Sequence, residues 1–366
     1  MDLELSDEQT WLSESVGGLL GREWRPAPEN PAGDAEQRDA LWASLVEFGA
    51  LSVGGDDGLG AVELCLIARD LGAHLAPLPY LGSAASRFAV APFLAELPDA
   101  FGTFAAGADA VAPALLEPGS GWDLSAPRTT VESLSLNGRK VGVEHVAAVQ
   151  RLAVVASGPG GPALALVDRQ AAGITSVEQP AFDATTPLHG VAFDDVGLGD
   201  GLVAGDAVGG EVVRRLLTIG ALLAAAESVG AAGRLLQDAT RYAAERRQFG
   251  RTIGSFQALR HLMADMYVRH ASSWSSVLYA AAVLDEDADE AERTASIAKA
   301  YVSRAAREVA HGAIQVFGGV AITAEHPAHL FLRRIVVREQ QFGDAAHHER
   351  SLGRALAATA VPEPVS

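Results

Sequence analysis

A chain of 366 residues, nearly half of them hydrophobic, has material for a large core spread over two or three layers or subdomains. Its formal charge of −18 sets it against nucleic acid and anionic membrane surfaces, which most of its exterior would repel. The single cysteine, Cys65, excludes a disulfide framework within the chain and agrees with a reducing cytoplasm; between Leu64 and Leu66 it reads as a small buried hydrophobe.

The first eight residues are acidic and lack an apolar run, so no signal peptide is expected there. Residues 3–97 are helical and amphipathic in pattern, with Asp7 the predicted N-cap of the first helix and a break at 54–60, GGDDGLG. From about 112 to 208 the texture changes to short β-rich runs, LAVVA, ALALV and HGVAF, separated by Gly, Pro, Asp and Asn. Long helices return after 208. Residues 211–244 run almost without a breaker and carry Leu216, Leu217, Leu222, Leu223, Leu235 and Leu236 among alanines, which predicts one long buried helix. Arg214, Arg215 and Arg234 bracket its apolar part and Glu227 lies inside it, which argues against a membrane span. DEDADEAE at 285–292 reads as an acidic connector, and the tail VPEPVS as frayed. The expected organisation is a helical domain at 1–111, a β domain at 112–208 and a helical bundle at 209–366.

Residues 241–257, RYAAERRQFGRTIGSFQ, put a cationic helix end beside a glycine turn, a geometry that suits a pyrophosphate. Gly250 and Gly254 break the helical pattern and 256–267 restore it, so the glycines mark a hairpin between two helices. Downstream, QVFGG at 315–319 closes the alanine-rich run 297–316, where glycines without Cβ let backbone approach a ring or a phosphate.

Together these segments resemble the acyl-CoA dehydrogenase family. The likeness covers almost the whole chain, from LSDEQTWLSESVGGLLGREW through LEPGSGWD to HLFLRRI and FGDAAHHER. It implies a mostly α fold: an N-terminal helical domain, a middle β-barrel or sandwich and a C-terminal four-helix bundle. It also implies FAD-dependent α,β-desaturation of an acyl-CoA or acyl-carrier thioester in a cytoplasmic tetramer. On the same resemblance Arg246, Phe249, Gln257, Gln315, Gly318 and Gly319 contact the FAD of a neighbouring subunit.

The resemblance fails at the chemistry. Desaturation needs a carboxylate to take the α-proton while hydride leaves for the flavin. The family supplies a glutamate from one of two positions, and counting along this chain puts them at Phe342 and about Gly220. Neither side chain takes a proton. The nearest carboxylates are Glu227, Glu339 and Asp344, with Glu227 about two helical turns from Gly220, on the order of 10 Å. Glu227 is otherwise expected to pair with an arginine such as Arg234 or with a neighbouring subunit, and Glu339 and Asp344 to be surface or interface charges.

The family's own flavin cradle is altered as well. Trp122 stands for a small serine in T-E-P-x-A-G-S-D, Val141, Gly142 and Val143 stand for the W-I-T strand, and Ala321 for the third glycine of Q-x-x-G-G-x-G. Retained contacts toward a neighbour with a weakened cradle resemble the degenerate subunit of actinobacterial α2β2 enzymes that act on bulky thioesters such as those of steroids. Two alternatives stay open: a homotetrameric thioester oxidase or dehydrogenase of secondary metabolism that uses Glu227, Glu339 or Asp344, and a flavin-free helical scaffold. His326, His329, His347 and His348 lack an accompanying carboxylate or cysteine set, so no metal is expected. His261 is expected at a helix interface, and Arg214, Arg215, Arg333 and Arg334 to pair with the acidic excess.

Overall fold

The computed structural model describes residues 3–53, 58–203, 208–286 and 288–359. Five helices come first: α1 Asp7–Glu23, α2 Ala35–Glu47, α3 Ala61–His74, α4 Tyr80–Val90 and α5 Asp99–Ala106. Ser6, not Asp7, caps α1: its hydroxyl accepts the Gln9 amide at 3.1 Å, and Gln9 Oε1 accepts the Ser6 amide at 3.0 Å. Asp7 instead falls in the first turn, where its charge suits the positive helix end. The glycine break ahead of α3 lies partly outside the described residues.

Gly60 opens α3 with no side chain to cap it, and Asp285 does the work from far along the chain. Its carboxylate accepts the Ala61 amide at 2.8 Å and the Val62 amide at 3.3 Å, and a Cβ on Gly60 would stand 2.8 Å from Asp285 Oδ2. The expected acidic connector is therefore a correction: Asp285 belongs to helix α7, Gln257–Glu286, and α8, Ala288–Phe317, begins almost at once.

The β region comprises β1 Val111–Ala114, β2 Thr130–Glu132, β3 Ser135–Glu144, β4 Arg151–Gly158, β5 Gly161–Asp168, β6 Ile174–Gln179, β7 Leu188–Gly197 and β8 Leu202–Val203. They form one mixed sheet in the order β6-β7-β3-β2-β4-β5-β8, with β1 parallel to β4. Alternate residues such as Val143, Val154 and Val191 build a small core of its own.

Helix α6, Val208–Glu245, is the axis of the molecule and packs against α3, α4, α7, α8, β5 and α9, Ala328–Gln340. It is long and apolar enough to cross a membrane by composition, yet most of it is enclosed by protein, as its bracketing arginines and Glu227 predicted. Its crossing with α3 is glycine on backbone. A Cβ on Gly72 would stand 2.0 Å from the Glu227 carbonyl oxygen, and one on Gly230 only 1.8 Å from that of Arg69. A last helix, α10 Ala345–Thr359, packs on α8.

Candidate functional site

A cavity of about 370 Å³ opens between the β domain, α4 and α9. Leu81, Val111, Leu115, Trp122, Val141 and Phe342 supply apolar wall, while Glu144 and Gln341 give it a polar edge. Of the three residues expected to form the cradle strand, Val141 and Gly142 do line it; Val143 turns into the β core and Glu144 to the cavity side, and the pairing of β3 with β7 shifts between Lys140 and Val143, an irregularity that lets two neighbours share one side.

Glu144 leads into a buried charge cluster. Both its oxygens accept Arg338 Nη1, at 2.8 and 2.9 Å, and Arg338 Nε donates to Glu227 at 2.7 Å. Arg334 donates to Glu227 and Thr185, and through Nε to Asp183 at 2.6 Å. Three carboxylates thus share two buried guanidiniums. Burial opposes the arginine charges, but the carboxylates around them outweigh it and hold both guanidiniums above their ordinary range. Burial also pushes the Glu144 carboxyl up, Arg338 pulls it back, and Glu227 adds to the rise.

Glu227 therefore pairs with Arg334 and Arg338, not with Arg234, which bonds Asp238 at 2.8 Å. Glu339 is buried, against expectation, and accepts Arg307 at 3.1 Å; Asp344 accepts the His347 amide at 2.7 Å in the first turn of α10. Arg333 lies over the Phe182 ring and Arg215 over Phe88, whereas Arg214 does meet acidic partners, Glu211 and Glu292. His261 is exposed on α7.

The two counted base positions meet in space. A Cβ on Gly220 would fall 2.3 Å from the Phe342 ring, which stacks on Trp122 at 6.0 Å and 24°. Phe342 and Gly343 take positive φ, 52° and 96°, at the end of α9. Lys299 on α8 holds this turn by donating to the Arg338 and Glu339 carbonyls at 2.6 and 3.0 Å, with burial pulling its ammonium down to about 7. His348 donates from Nε2 to the Phe342 carbonyl at 2.9 Å, leaving Nδ1 to accept the Ser296 hydroxyl at 3.0 Å.

At the far end of the bundle, Arg246 follows α6 directly and a two-strand turn, β9 Arg247–Gln248 with β10 Arg251–Thr252, leads into α7. Phe249 is 91% exposed with φ 52°, and Gly250 has φ 80°. Tyr242 at the end of α6 packs edge-on against Phe317 at the end of α8, at 5.5 Å, so the hairpin and the 315–319 segment share one end of the molecule. Arg246, Phe249, Gln257, Gln315, Gly318 and Gly319 are all exposed there, and none lines the cavity.

Residues 208–357 match the family model described as acyl-CoA dehydrogenase, C-terminal domain. Acyl-CoA dehydrogenase FadE27 of Mycobacterium tuberculosis is 30% identical, over 98% of this chain and 100% of its own. The chain belongs to the acyl-CoA dehydrogenase family. In three dimensions it resembles a chain of the ChsE4-ChsE5 complex from Mycobacterium tuberculosis, with a TM-score of 0.83 and 25% identity over 99% of this chain and 100% of that one. A chain of the Tcur3481-Tcur3483 steroid ACAD shares the fold, with a TM-score of 0.84, at 24% identity over 97% and 99% of the two chains.

Glu144, Arg338, Asp183 and Lys299 shape the cavity of this family member and its adjoining turn, and none was expected from sequence. Their partners lie tens to hundreds of residues away: Glu144 is 194 residues from Arg338, and Asp183 is 151 from Arg334. The available signal was arginine recurring at Arg334 and Arg338, one turn apart on the helix face that also carries Phe331 and Ile335, which demands buried counter-charge.

Proposed function

We propose that this chain works in a cytoplasmic, FAD-dependent acyl-CoA dehydrogenase as the subunit that completes a partner's flavin site, and that it does not itself remove the substrate's α-proton. The observation that carries this reading is the contact of Gly220 with Phe342: both positions from which a glutamate base is expected hold no carboxylate, and one fills the other's space with an aromatic ring. The remaining candidates are committed elsewhere. Glu227 would have to leave two buried arginines, Glu339 its arginine, and Asp344 its helix end. That argues against the homotetrameric alternative with an unconventional base.

The two halves of the flavin site differ in how well they suit FAD. At the hairpin the fit is good: Arg246 is exposed with no ion pair among the described residues, and Phe249, Gly318 and Gly319 offer an exposed ring and open backbone to an incoming dinucleotide. In the chain's own cleft the turn before Trp122 is already spent, since Ser120 Oγ bonds both the Glu117 amide and its carbonyl at 2.9 Å. FAD, when bound, supplies the hydride acceptor; this chain's part is to hold its pyrophosphate from across the interface. Two structural relatives, the ChsE4-ChsE5 complex and the Tcur3481-Tcur3483 steroid ACAD, pair two kinds of chain, which supports a bulky thioester and an α2β2 assembly.

The test is the absorbance spectrum and mass of the chain purified alone and purified with its partner dehydrogenase subunit. The expected result is a colourless lone chain and one FAD per pair of unlike chains in the complex. One FAD per chain in the lone protein, with full turnover, would overturn the reading.

A further inference from the structure

Trp122 and Phe342 are the common wall of two voids. One is the main cavity of about 370 Å³; the other, of about 80 Å³, lies toward α6, α8 and α10 and is lined by Leu217, Thr218, Ala221 and Ser296. A single stacked pair of rings separates them.

The wall is built, not incidental. Phe342 is 6% exposed, and its seat on α6 exists only because residue 220 has no Cβ, whose nearest approach to the ring would be 2.3 Å. Its backbone is fixed from two sides, by His348 on its carbonyl and by Lys299 on the two carbonyls that end α9. Trp122 follows a turn held at its start by Glu117, which accepts the Thr129 amide at 2.7 Å, the Arg128 amide at 2.9 Å and Lys140 Nζ at 2.9 Å. Phe342, enclosed against α6 with its carbonyl held by His348, does not yield to an incoming chain without repacking of its seat.

We infer that Trp122 and Phe342, seated on Gly220, form an aromatic plug that bars acyl thioesters from this chain's own cleft. The inference extends the auxiliary reading, but it rests on this chain's geometry and is decided by counting thioester, whereas that reading is decided by counting flavin. An acyl chain entering the main cavity meets the ring faces before it reaches α6. Substrate is then taken only by the partner.

Equilibrium titration with 3-thiaoctanoyl-CoA, a thioester analogue that resists desaturation, tests this on the complex purified with its partner. The wild type is expected to bind one analogue per pair of chains and the Trp122→Ser/Phe342→Ala variant two. Two per pair in the wild type, or one per pair in a folded double variant, overturns the plug. If the chain proves to be a self-sufficient homo-oligomer, zero against one analogue per wild-type chain decides the same question. A thermal-melt comparison needs no ligand: Gly220→Ala lowers the melting temperature by several degrees in the wild type and loses that effect in a Phe342→Ala background. Equal losses in both backgrounds would mean that the ring is not seated on Gly220.

Discussion

Glu227 shows how one residue's role turns on its partners. As a base it would need freedom to take a proton, but here it pairs with both Arg334 and Arg338. Breaking a buried pair leaves an uncompensated charge, so Glu227→Ala is expected to cost about 3–5 kcal/mol in urea unfolding. Activity per folded complex should keep its pH profile; a variant of unchanged stability with a displaced profile would instead mark a base. Glu117 gives a second residue-scale prediction. Burial alone would raise its carboxyl, but the Thr129 amide, Lys140 and the Arg128 amide outweigh that and hold it at about 2. A carboxylate depressed in the folded state stabilises above its ordinary value of 4.5 and loses that contribution as pH falls through about 2. Urea midpoints should therefore drop between those limits in the wild type and be flatter in Glu117→Gln.

At the scale of elements, local sequence said most. The run 211–244 did become α6, and the glycines at 250 and 254 did become the turn before α7, because apolar periodicity and breakers act within a few residues. Counting singled out Phe342 and Gly220, but no local pattern says that they touch, since they lie 122 positions apart in the chain. Nor could any local pattern say which glycines sit at a helix crossing. Gly72 and Gly230 do, with carbonyl oxygens where a Cβ would go, so Gly230→Ala forces the α3 and α6 backbones apart and is expected to cost about 3 kcal/mol. Gly17 in α1 has open space around it, and Gly17→Ala should gain roughly 0.5–1 kcal/mol from helix propensity. Opposite shifts in the urea midpoints of these two alanine variants check the assignment; a harmless Gly230→Ala would mean that the helices cross elsewhere.

At the scale of the molecule, the chain keeps its possible cofactor contacts at one end and its cavity between the β domain, α4 and α9, and the two do not share a residue. In a chain of net charge −18, an arginine exposed at a helix end without an ion pair among the described residues is expected, on the proposed reading, to meet the phosphate of another molecule. Arg246→Ala in this chain should then weaken FAD retention by the complex about 10–100-fold, the worth of one hydrogen-bonded charge on a phosphate. Its own stability should stay within about 0.5 kcal/mol, because the side chain is exposed. Flavin lost to dialysis, followed by absorbance, measures the first quantity and a melting curve of the lone chain the second. The informative outcome is their separation. A substitution that weakens flavin retention without touching the fold marks the arginine as a flavin contact, whereas retained flavin would return it to the lesser role of balancing its own helix end.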